Sequence, residues 1–428
     1  MAEAPAETVE AQPARTSRWR RIAADTTPLK ESADYRRWWF GYSLSFTGTQ
    51  LTQFAIPLQV YAITRSSLYV GLVGLVVVFP LVVMGLFGGA IADAVDRRRL
   101  TLITSSGLMV LSTVLTVLAA AGVHRLSLLY LIAGVQGAFA ATDSSARGAI
   151  LPRLVRRELL PSANALGQLG FQTGLSAGPL LGGVLVGSLG FAWAYGLDAA
   201  SFLVVLYAIW RLPAMPPEGG GSRAGVASVL EGLRYLGPRK NLLMTFLVDI
   251  NAMVFGMPRA LFPAIGVTWF HGGAGTVGLL AAAPSLGALL GAVTSGWAAH
   301  VRRQGFAVLV SVAIWGGSIA LFGFTRVLWL ALILLGIAGA ADMVSAIFRN
   351  TILQVATPDA LRGRLQGVFI VVVTGGPRIG DVEAGSVAAA FGTQLSVVTG
   401  GLACVAGVGL LAAMFPGFAR YDGEDPVP

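Results

Sequence analysis

Twelve long apolar segments dominate this sequence. They lie near 38–63, 69–93, 100–122, 127–150, 163–187, 190–211, 242–268, 274–299, 305–325, 327–350, 366–391 and 394–416. A helix needs about 20 mostly apolar residues to cross a lipid bilayer. Charged residues make up 12% of the 428 residues and hydrophobic residues 55%, whereas roughly 25% of a soluble domain is charged. The sequence therefore predicts an all-α membrane protein with twelve transmembrane helices, and it excludes a soluble or disordered chain.

The chain has few of the residues that catalysis, metal binding or nucleotide binding requires. Cys404 is the single cysteine, so no intrachain disulfide can form. Neither Lys30 nor Lys240 follows a glycine, so there is no phosphate-binding P-loop. The histidines are too far apart in sequence to suggest a metal cluster: His124, His271 and His300. We expect no enzymatic activity, no cofactor and no metal.

The basic residues indicate the orientation in the membrane. If the N-terminus is cytoplasmic, the cytoplasmic loops and tails carry 23 basic residues, and the outer loops carry only Arg65, Arg125 and Arg326. Such an asymmetry predicts that both termini are cytoplasmic. It also explains the net charge of +9 without a nucleic-acid partner, because the excess lies at the membrane surface. The arginine, alanine and glycine bias favours a bacterial inner-membrane protein.

The longest polar connection, 213–241, is rich in proline and glycine and divides the chain into two halves. Alternating polar and apolar stretches predict five units, which are a disordered cytoplasmic N-tail (1–36), an N-terminal six-helix bundle (37–212), a cytoplasmic linker (213–241), a C-terminal six-helix bundle (242–417) and a cytoplasmic C-tail (418–428).

The two halves repeat each other. Arg147 and the Ile150-Leu151 pair recur 202 residues later as Arg349 and Ile352-Leu353. The same offset relates three glycine pairs: Gly174 with Gly376, Gly178 with Gly380, and Gly183 with Gly385. Two parallel six-helix repeats are an architecture of alternating-access transporters.

The loop after the second segment has a glycine four residues before an aspartate, followed by a run of arginines. It resembles the signature loop of the major facilitator superfamily, but Ala94 and Asp96 stand where that family has arginine and glycine. In the family this loop latches the inner gate. The resemblance implies the same role for the matching residues, Gly89, Asp93, Arg97 and Arg98.

The fifth segment carries the pattern Gly-x-x-x-Gly-Pro-x-x-Gly-Gly. Small residues four apart permit close helix packing, and a proline kinks the helix. The pattern matches in full the motif of exporters and antiporters in the same superfamily, and its residues are Gly174, Gly178, Pro179, Gly182 and Gly183.

Segments 151–166 and 375–381 resemble the branch of this superfamily that includes the enterobactin exporter and macrolide efflux proteins. The resemblance extends over about residues 35–417. It implies the major facilitator fold and export of bulky amphipathic small molecules, siderophores or drug-like compounds. One departure concerns coupling: many proton-coupled members have an arginine where this chain has Ala133, before Gln136-Gly137. Another residue would have to carry the proton.

Ionisable residues within the spans are functional candidates because charge is costly at membrane depth. We expect Asp143, Arg147 and Arg349, near the cytoplasmic ends of their helices, to belong to the inner gate. Asp198 lies toward the outer end of its helix, so we expect it at the interface. Other polar residues within the spans are candidates for lining a cavity: Gln50, Gln53, Asn251, Arg259, Asp342 and Arg378. For the two glutamines, bonding to neighbouring helices is the alternative.

A proton carrier needs a carboxyl whose pKa burial raises toward neutrality, and an acid without an arginine on its own helix face suits best. Asp249 and Glu383 meet this condition, whereas Arg378 lies three residues before Asp381 on the same helix face. We expect Asp249 to be the first candidate and Glu383 and Asp381 the next, although a partner on another helix remains an alternative for each.

Together these features predict a monomeric secondary active exporter that binds a small molecule and protons, works by antiport and is embedded in the lipid bilayer. An uncoupled facilitator or importer of the same fold is the alternative. A non-transporting sensor or scaffold fits less well, because the tails and the linker are too short for an output domain.

Overall fold

The structure is a computed structural model that describes residues 25–216, 233–357 and 359–423. Within them, the side chains at 86–90, 92–93, 149, 299, 359–364, 366–367, 370–371 and 374 are not described. The described ranges are almost entirely helical, and their β-structure is limited to a single bridge between Arg303 and Asp422.

Twelve helices cross the molecule, and the predicted fold class is confirmed. The N-terminal bundle contains α1 Ala33–Thr64, α2 Ser67–Ala94, α3 Arg97–Ala120, α4 Leu126–Leu154, α5 Leu160–Leu189 and α6 Phe191–Trp210. The C-terminal bundle contains α7 in two pieces, Lys240–Phe255 and Phe262–Thr268, then α8 Ala274–Val293, α9 Gln304–Phe322, α10 Leu328–Val355, α11 Asp359–Phe391 and α12 Thr393–Met414.

Helix α7 is broken in its middle. Its first piece ends at Gly256, and a single 3₁₀ turn, Arg259–Leu261, leads into the second piece. Pro258 lacks a backbone N–H and cannot continue the ladder, whereas Pro263 is tolerated because it lies in the first turn of the new piece. Arg259 is the first residue of this 3₁₀ turn.

Ten of these spans, with the pieces of α7 counted together, are long and apolar enough to cross a membrane among the described residues. The other two are α1 and α11, which carry polar residues along their length. Helix α1 carries glutamines and threonines along its middle, and α11 carries Arg378, Asp381 and Glu383. Both helices line the interior, where neighbouring helices surround these polar groups.

The two bundles meet along α2 with α11 and along α5 with α8. We call the face where α1 begins and α12 ends the terminal face, and the other the opposite face. The bundles approach most closely near the opposite face: a Cβ atom added at Gly71 would lie 2.3 Å from the carbonyl oxygen of Asp381, and one added at Gly385 would lie 2.6 Å from that of Ser67.

The predicted N-tail is shorter than expected. Residues 1–24 lie outside the described residues, but 27–31 form a short helix and α1 begins at Ala33. The expectation of disorder up to residue 36 is therefore wrong for this part, because Ser32 caps α1 by accepting a hydrogen bond from the Tyr35 amide. Hydrogen bonds from Thr27 and Ser162 also hold the pKa of Asp25 below its usual range.

The other predicted tails are partly described. Of the linker 213–241, residues 217–232 lie outside the described residues, and Met215 before them is 2% exposed. The C-tail packs back on the C-terminal bundle, where Phe418 is 1% and Tyr421 4% exposed.

Candidate functional site

A central cavity of about 190 Å³ lies between the bundles. Its polar lining consists of two glutamines from α1, the arginine at the α7 break, a serine from α8, and an arginine and an aspartate from α11: Gln50, Gln53, Arg259, Ser285, Arg378 and Asp381. Four of the six predicted cavity residues therefore line it, together with Asp381, which was predicted as a proton carrier.

Five prolines also line the cavity, one each from α1, α5, α7, α8 and α11: Pro57, Pro179, Pro263, Pro284 and Pro377. A proline within a helix cannot donate to the carbonyl four residues earlier. For Pro57 and Pro179 these carbonyls belong to Gln53 and Leu175, which line the same cavity. The hydrogen-bond ladders of α1 and α5 are therefore interrupted beside the cavity.

The glycines of the predicted export motif form two packing faces on α5. Gly174, Gly178 and Gly182 face α1, where an added Cβ would lie 2.5 Å from the Phe46 ring, 2.2 Å from the Gln50 Cβ and 2.6 Å from the Phe54 ring, respectively. The absence of a side chain at Gly178 brings Gln50 to the cavity wall. The motif therefore positions a cavity residue through packing.

The second face of the motif meets α8 of the other bundle. A Cβ added at Gly183 would lie 2.8 Å from the carbonyl oxygen of Ala274, and one added at Gly278 would lie 2.5 Å from that of Pro179. Only glycines permit this backbone approach. The contact joins the two bundles near the opposite face.

The lining of the central cavity contains two basic side chains and one acidic side chain. Arg378 and Arg259 both exert their charge on the Asp381 carboxyl, yet none of the three forms an ion pair within 4.0 Å with another described residue. Asp381 is 8% exposed, and its Oδ1 atom makes no hydrogen bond to a described residue. Two guanidinium groups and one carboxylate line the cavity, and the carboxylate of Asp342, outside this lining, also acts on Arg259.

The remaining two predicted cavity residues lie elsewhere in the C-terminal bundle. The Asn251 side chain donates to the carbonyl oxygen of Cys404 at 2.9 Å, which ties α7 to α12. Asp342 lies 3.6 Å from the guanidinium of Arg349 on its own helix. Neither residue lines the central cavity.

The three predicted proton carriers have different surroundings. Asp249, the first choice, forms a buried ion pair with Arg349, which a search of its own helix could not reveal. Glu383 is only partly buried and has no ion-pair partner among the described residues. Asp381 is buried and lines the cavity.

The predicted gate residues pair inside their own bundles. Arg147 forms an ion pair with Asp143, donates to the Ser105 hydroxyl at 3.3 Å and lies 4.7 Å from the centre of the Tyr42 ring. Asp143 also accepts from Thr104 at 2.7 Å. Arg349, the repeat partner of Arg147, pairs in the C-terminal bundle.

The loop after α2 is held to α6 and the linker. Arg98 donates to the carbonyl oxygens of Ile209, at 3.2 Å, and of Trp210. Asp96 caps α3 by accepting from the Arg99 amide at 3.0 Å, and it accepts from the Met215 amide at 2.8 Å. The side chains of two other predicted gate residues, Gly89 and Asp93, lie outside the description, and Arg97 lies at the start of α3.

A second cavity, of about 70 Å³, adjoins the first within the N-terminal bundle, and both include Gln53 and Arg378 in their walls. Asp198 lines it and is 1% exposed, so the expectation that Asp198 is interfacial is wrong. Its Oδ2 atom accepts hydrogen bonds from Thr52 at 2.6 Å and Ser112 at 2.7 Å. Position along α6 could not reveal this, because α1 and α3 cover the residue.

Sequence comparison identifies relatives along almost the whole chain. A family described as transmembrane secretion effector matches residues 23–422. The enterobactin exporter of Citrobacter koseri is 32% identical over 407 residues, which cover 94% of this chain and 96% of the relative. The enterobactin exporter of Shigella boydii is 32% identical over 367 residues, which cover 84% and 86%.

Solved transporter structures share the fold. The nucleoside transporter NupG has a TM-score of 0.66 at 14% identity, covering 91% of this chain and 99% of its own. A bacterial homologue of the iron transporter ferroportin, in its inward-facing state, has a TM-score of 0.65 at 15% identity, covering 90% and 98%. The chain therefore belongs to the transmembrane secretion effector family of the major facilitator superfamily, and it is a multi-pass membrane transporter.

Proposed function

We propose that this protein is a proton-coupled exporter of acidic small molecules, with siderophores as the first class to test. The observation that carries the proposal is the presence of two arginines, Arg259 and Arg378, in the lining of the cavity between the bundles. The similarity to enterobactin exporters supports the direction of transport and the class of cargo.

The distribution of basic residues supports a cytoplasmic terminal face. The close contacts of Gly183 with α8 and of Gly71 with α11 lie near the opposite face. In that orientation the molecule is closed toward the periplasm, which is the conformation in which an exporter loads its cargo. Alternating access then requires these contacts to separate while the cytoplasmic ends of the bundles meet.

The cavity suits an acidic, oxygen-rich cargo. Arginine binds carboxylates and other oxyanions through several N–H donors at once. The amide groups of Gln50 and Gln53 can both donate and accept hydrogen bonds, so they suit the hydroxyl and carbonyl groups of such a cargo. Siderophores bind iron through hard oxygen donors, many of them acidic, so their metal-binding groups match these partners. Apolar walls such as Phe54, Val73 and Phe262 accommodate the rest of an amphipathic molecule.

Inverted membrane vesicles with an acidic lumen test this proposal. Iron-free enterobactin is added outside, and both its accumulation and the lumenal pH are followed. We expect accumulation accompanied by lumenal alkalinisation, because antiport moves protons out of the lumen as cargo moves in. Macrolides and cationic dyes, tested in parallel, are expected to be transported less well.

The matched variants are Arg378→Gln, in the cavity, and Arg157→Gln, on an exposed turn at the terminal face. Loss of accumulation in Arg378→Gln but not in Arg157→Gln supports the cavity as the cargo site. Accumulation without any change in pH would contradict proton coupling and favour an uncoupled facilitator. Transport of cationic dyes alone would contradict the acidic cargo.

A further inference from the structure

Asp198 is a buried carboxyl group without a counter-ion. It is 1% exposed, and no basic nitrogen of the described residues lies within 4.0 Å of it. Its Oδ1 atom makes no hydrogen bond to a described residue. A carboxylate at membrane depth is costly unless it is paired. A neutral side chain would be enough for packing between α6 and α1. We therefore expect this carboxyl group to have a chemical role.

The groups that hydrogen-bond to Asp198 from the neighbouring helices are neutral. The hydroxyls of Thr52 on α1 and Ser112 on α3 donate to its Oδ2 atom. The side-chain amide of Gln136, on α4, donates to the Ser112 hydroxyl at 3.4 Å. Tyr195, a titratable residue on the same helix, donates a hydrogen bond from its hydroxyl to the Gln59 side chain. Arg378 of α11 is the charged residue that shares the second cavity with Asp198.

We propose that Asp198 is a proton-binding site of this transporter, separate from the cargo cavity. One carboxylate oxygen gains a proton to form an O–H bond, and the same proton leaves to water in the second cavity. Burial favours the protonated form, whereas the hydroxyl groups of Thr52, Ser112 and Thr49 favour the ionised form. These opposing effects allow the group to gain and lose a proton. The inference rests on the proton coupling proposed above and assigns a residue to it.

Helix α1 provides the connection between proton and cargo. Thr52 of α1 is bonded to Asp198, while Gln50 and Gln53 of the same turn line the central cavity. Protonation of Asp198 removes its negative charge, which weakens the hydrogen bonds that its Oδ2 atom accepts from α1 and α3. Gly178 packs directly against Gln50, so a shift of α1 reaches the helix that joins the two bundles near the opposite face.

Infrared difference spectroscopy on the purified full-length protein in lipid nanodiscs tests this site. The protein is titrated from acidic to alkaline pH while the C=O stretch of protonated carboxyl groups is recorded. We expect a band that titrates in the wild type and disappears in Asp198→Asn. Asp381→Asn, which removes the cavity carboxyl, is the matched control and is expected to retain that band.

Two further variants keep the carboxyl and remove one donor each. In Thr52→Val and Ser112→Ala the midpoint of the band is expected to move to higher pH, because the ionised form loses a hydrogen bond. An unchanged midpoint in both folded variants, or a wild-type spectrum in which no titrating band is assigned to Asp198, overturns the proposal. The spectra require no cargo, so a negative export assay leaves this result intact.

Discussion

The guanidinium of Arg349 on α10 forms a buried ion pair with the carboxylate of Asp249 on α7. Their side chains are 6% and 3% exposed. Removing one member of such a pair leaves an uncompensated charge away from water. We therefore expect Asp249→Asn to lower the free energy of unfolding by about 3 kcal/mol, as measured by chemical unfolding in detergent with tryptophan fluorescence.

Asp342→Asn is the control for this prediction. Asp342 lies 3.6 Å from the same guanidinium, and its side chain is 28% exposed, so its loss is expected to cost less. Equal stability of Asp249→Asn and the wild type would show that the pair contributes little. If such a stable Asp249→Asn protein also lost proton-linked efflux, Asp249 would be the proton carrier that its sequence suggested.

The pairing of Asp249 with Arg349 could not be predicted from the sequence. The apolar segments predicted the twelve helices, because each span carries its own signal in consecutive residues. The motif glycines were also recognisable, because their spacing places them on one helix. The partner of Asp249 is 100 positions away, and which faces of α7 and α10 meet depends on the packing of the whole bundle. The burial of Asp198 could not be predicted for the same reason, because it depends on α1 and α3 covering the residue.

The contact between α5 and α8 leads to a second prediction. A Cβ added at Gly183 would lie 2.8 Å from a backbone oxygen of α8, whereas one added at Gly187, a turn later, would meet its nearest atom at 3.8 Å. Gly183→Val is therefore expected to open the opposite face and abolish transport, and Gly187→Val to do neither. The readout is labelling of Gln53→Cys, in a Cys404→Ala background, by a membrane-impermeant thiol reagent added to intact cells.

Labelling should increase several-fold in Gly183→Val, because the central cavity becomes accessible from the periplasm. The same low labelling in both glycine variants would mean that the α5–α8 contact does not keep this face closed. Labelling of both would indicate a general loosening of α5 instead.

Removing an arginine of the central cavity and removing its acid should change the affinity for an acidic cargo in opposite directions. Arg259→Gln and Arg378→Gln each remove a charged hydrogen-bond donor, which is worth about 1.5–3 kcal/mol, so affinity for enterobactin should fall about 10-fold to 100-fold. Asp381→Asn removes the negative charge beside both guanidiniums and should raise that affinity. Binding to purified protein, measured by calorimetry, checks both signs, with Arg157→Gln as the unaffected control. A fall in affinity in Asp381→Asn would argue that the acid, not the arginines, recognises the cargo.

The separation of Asp198 from the cargo cavity predicts how its loss affects transport. Asp198 does not line the central cavity, so Asp198→Asn should still exchange labelled for unlabelled enterobactin across proteoliposomes, a process that needs no net proton movement. Uphill accumulation in acidic-lumen vesicles, and the alkalinisation that accompanies it, should be lost. Loss of exchange together with accumulation would assign Asp198 a structural role. Undiminished alkalinisation would place the coupling proton on another carboxyl, with Asp381 next to be tested because it too is buried without a counter-ion within 4.0 Å among the described residues.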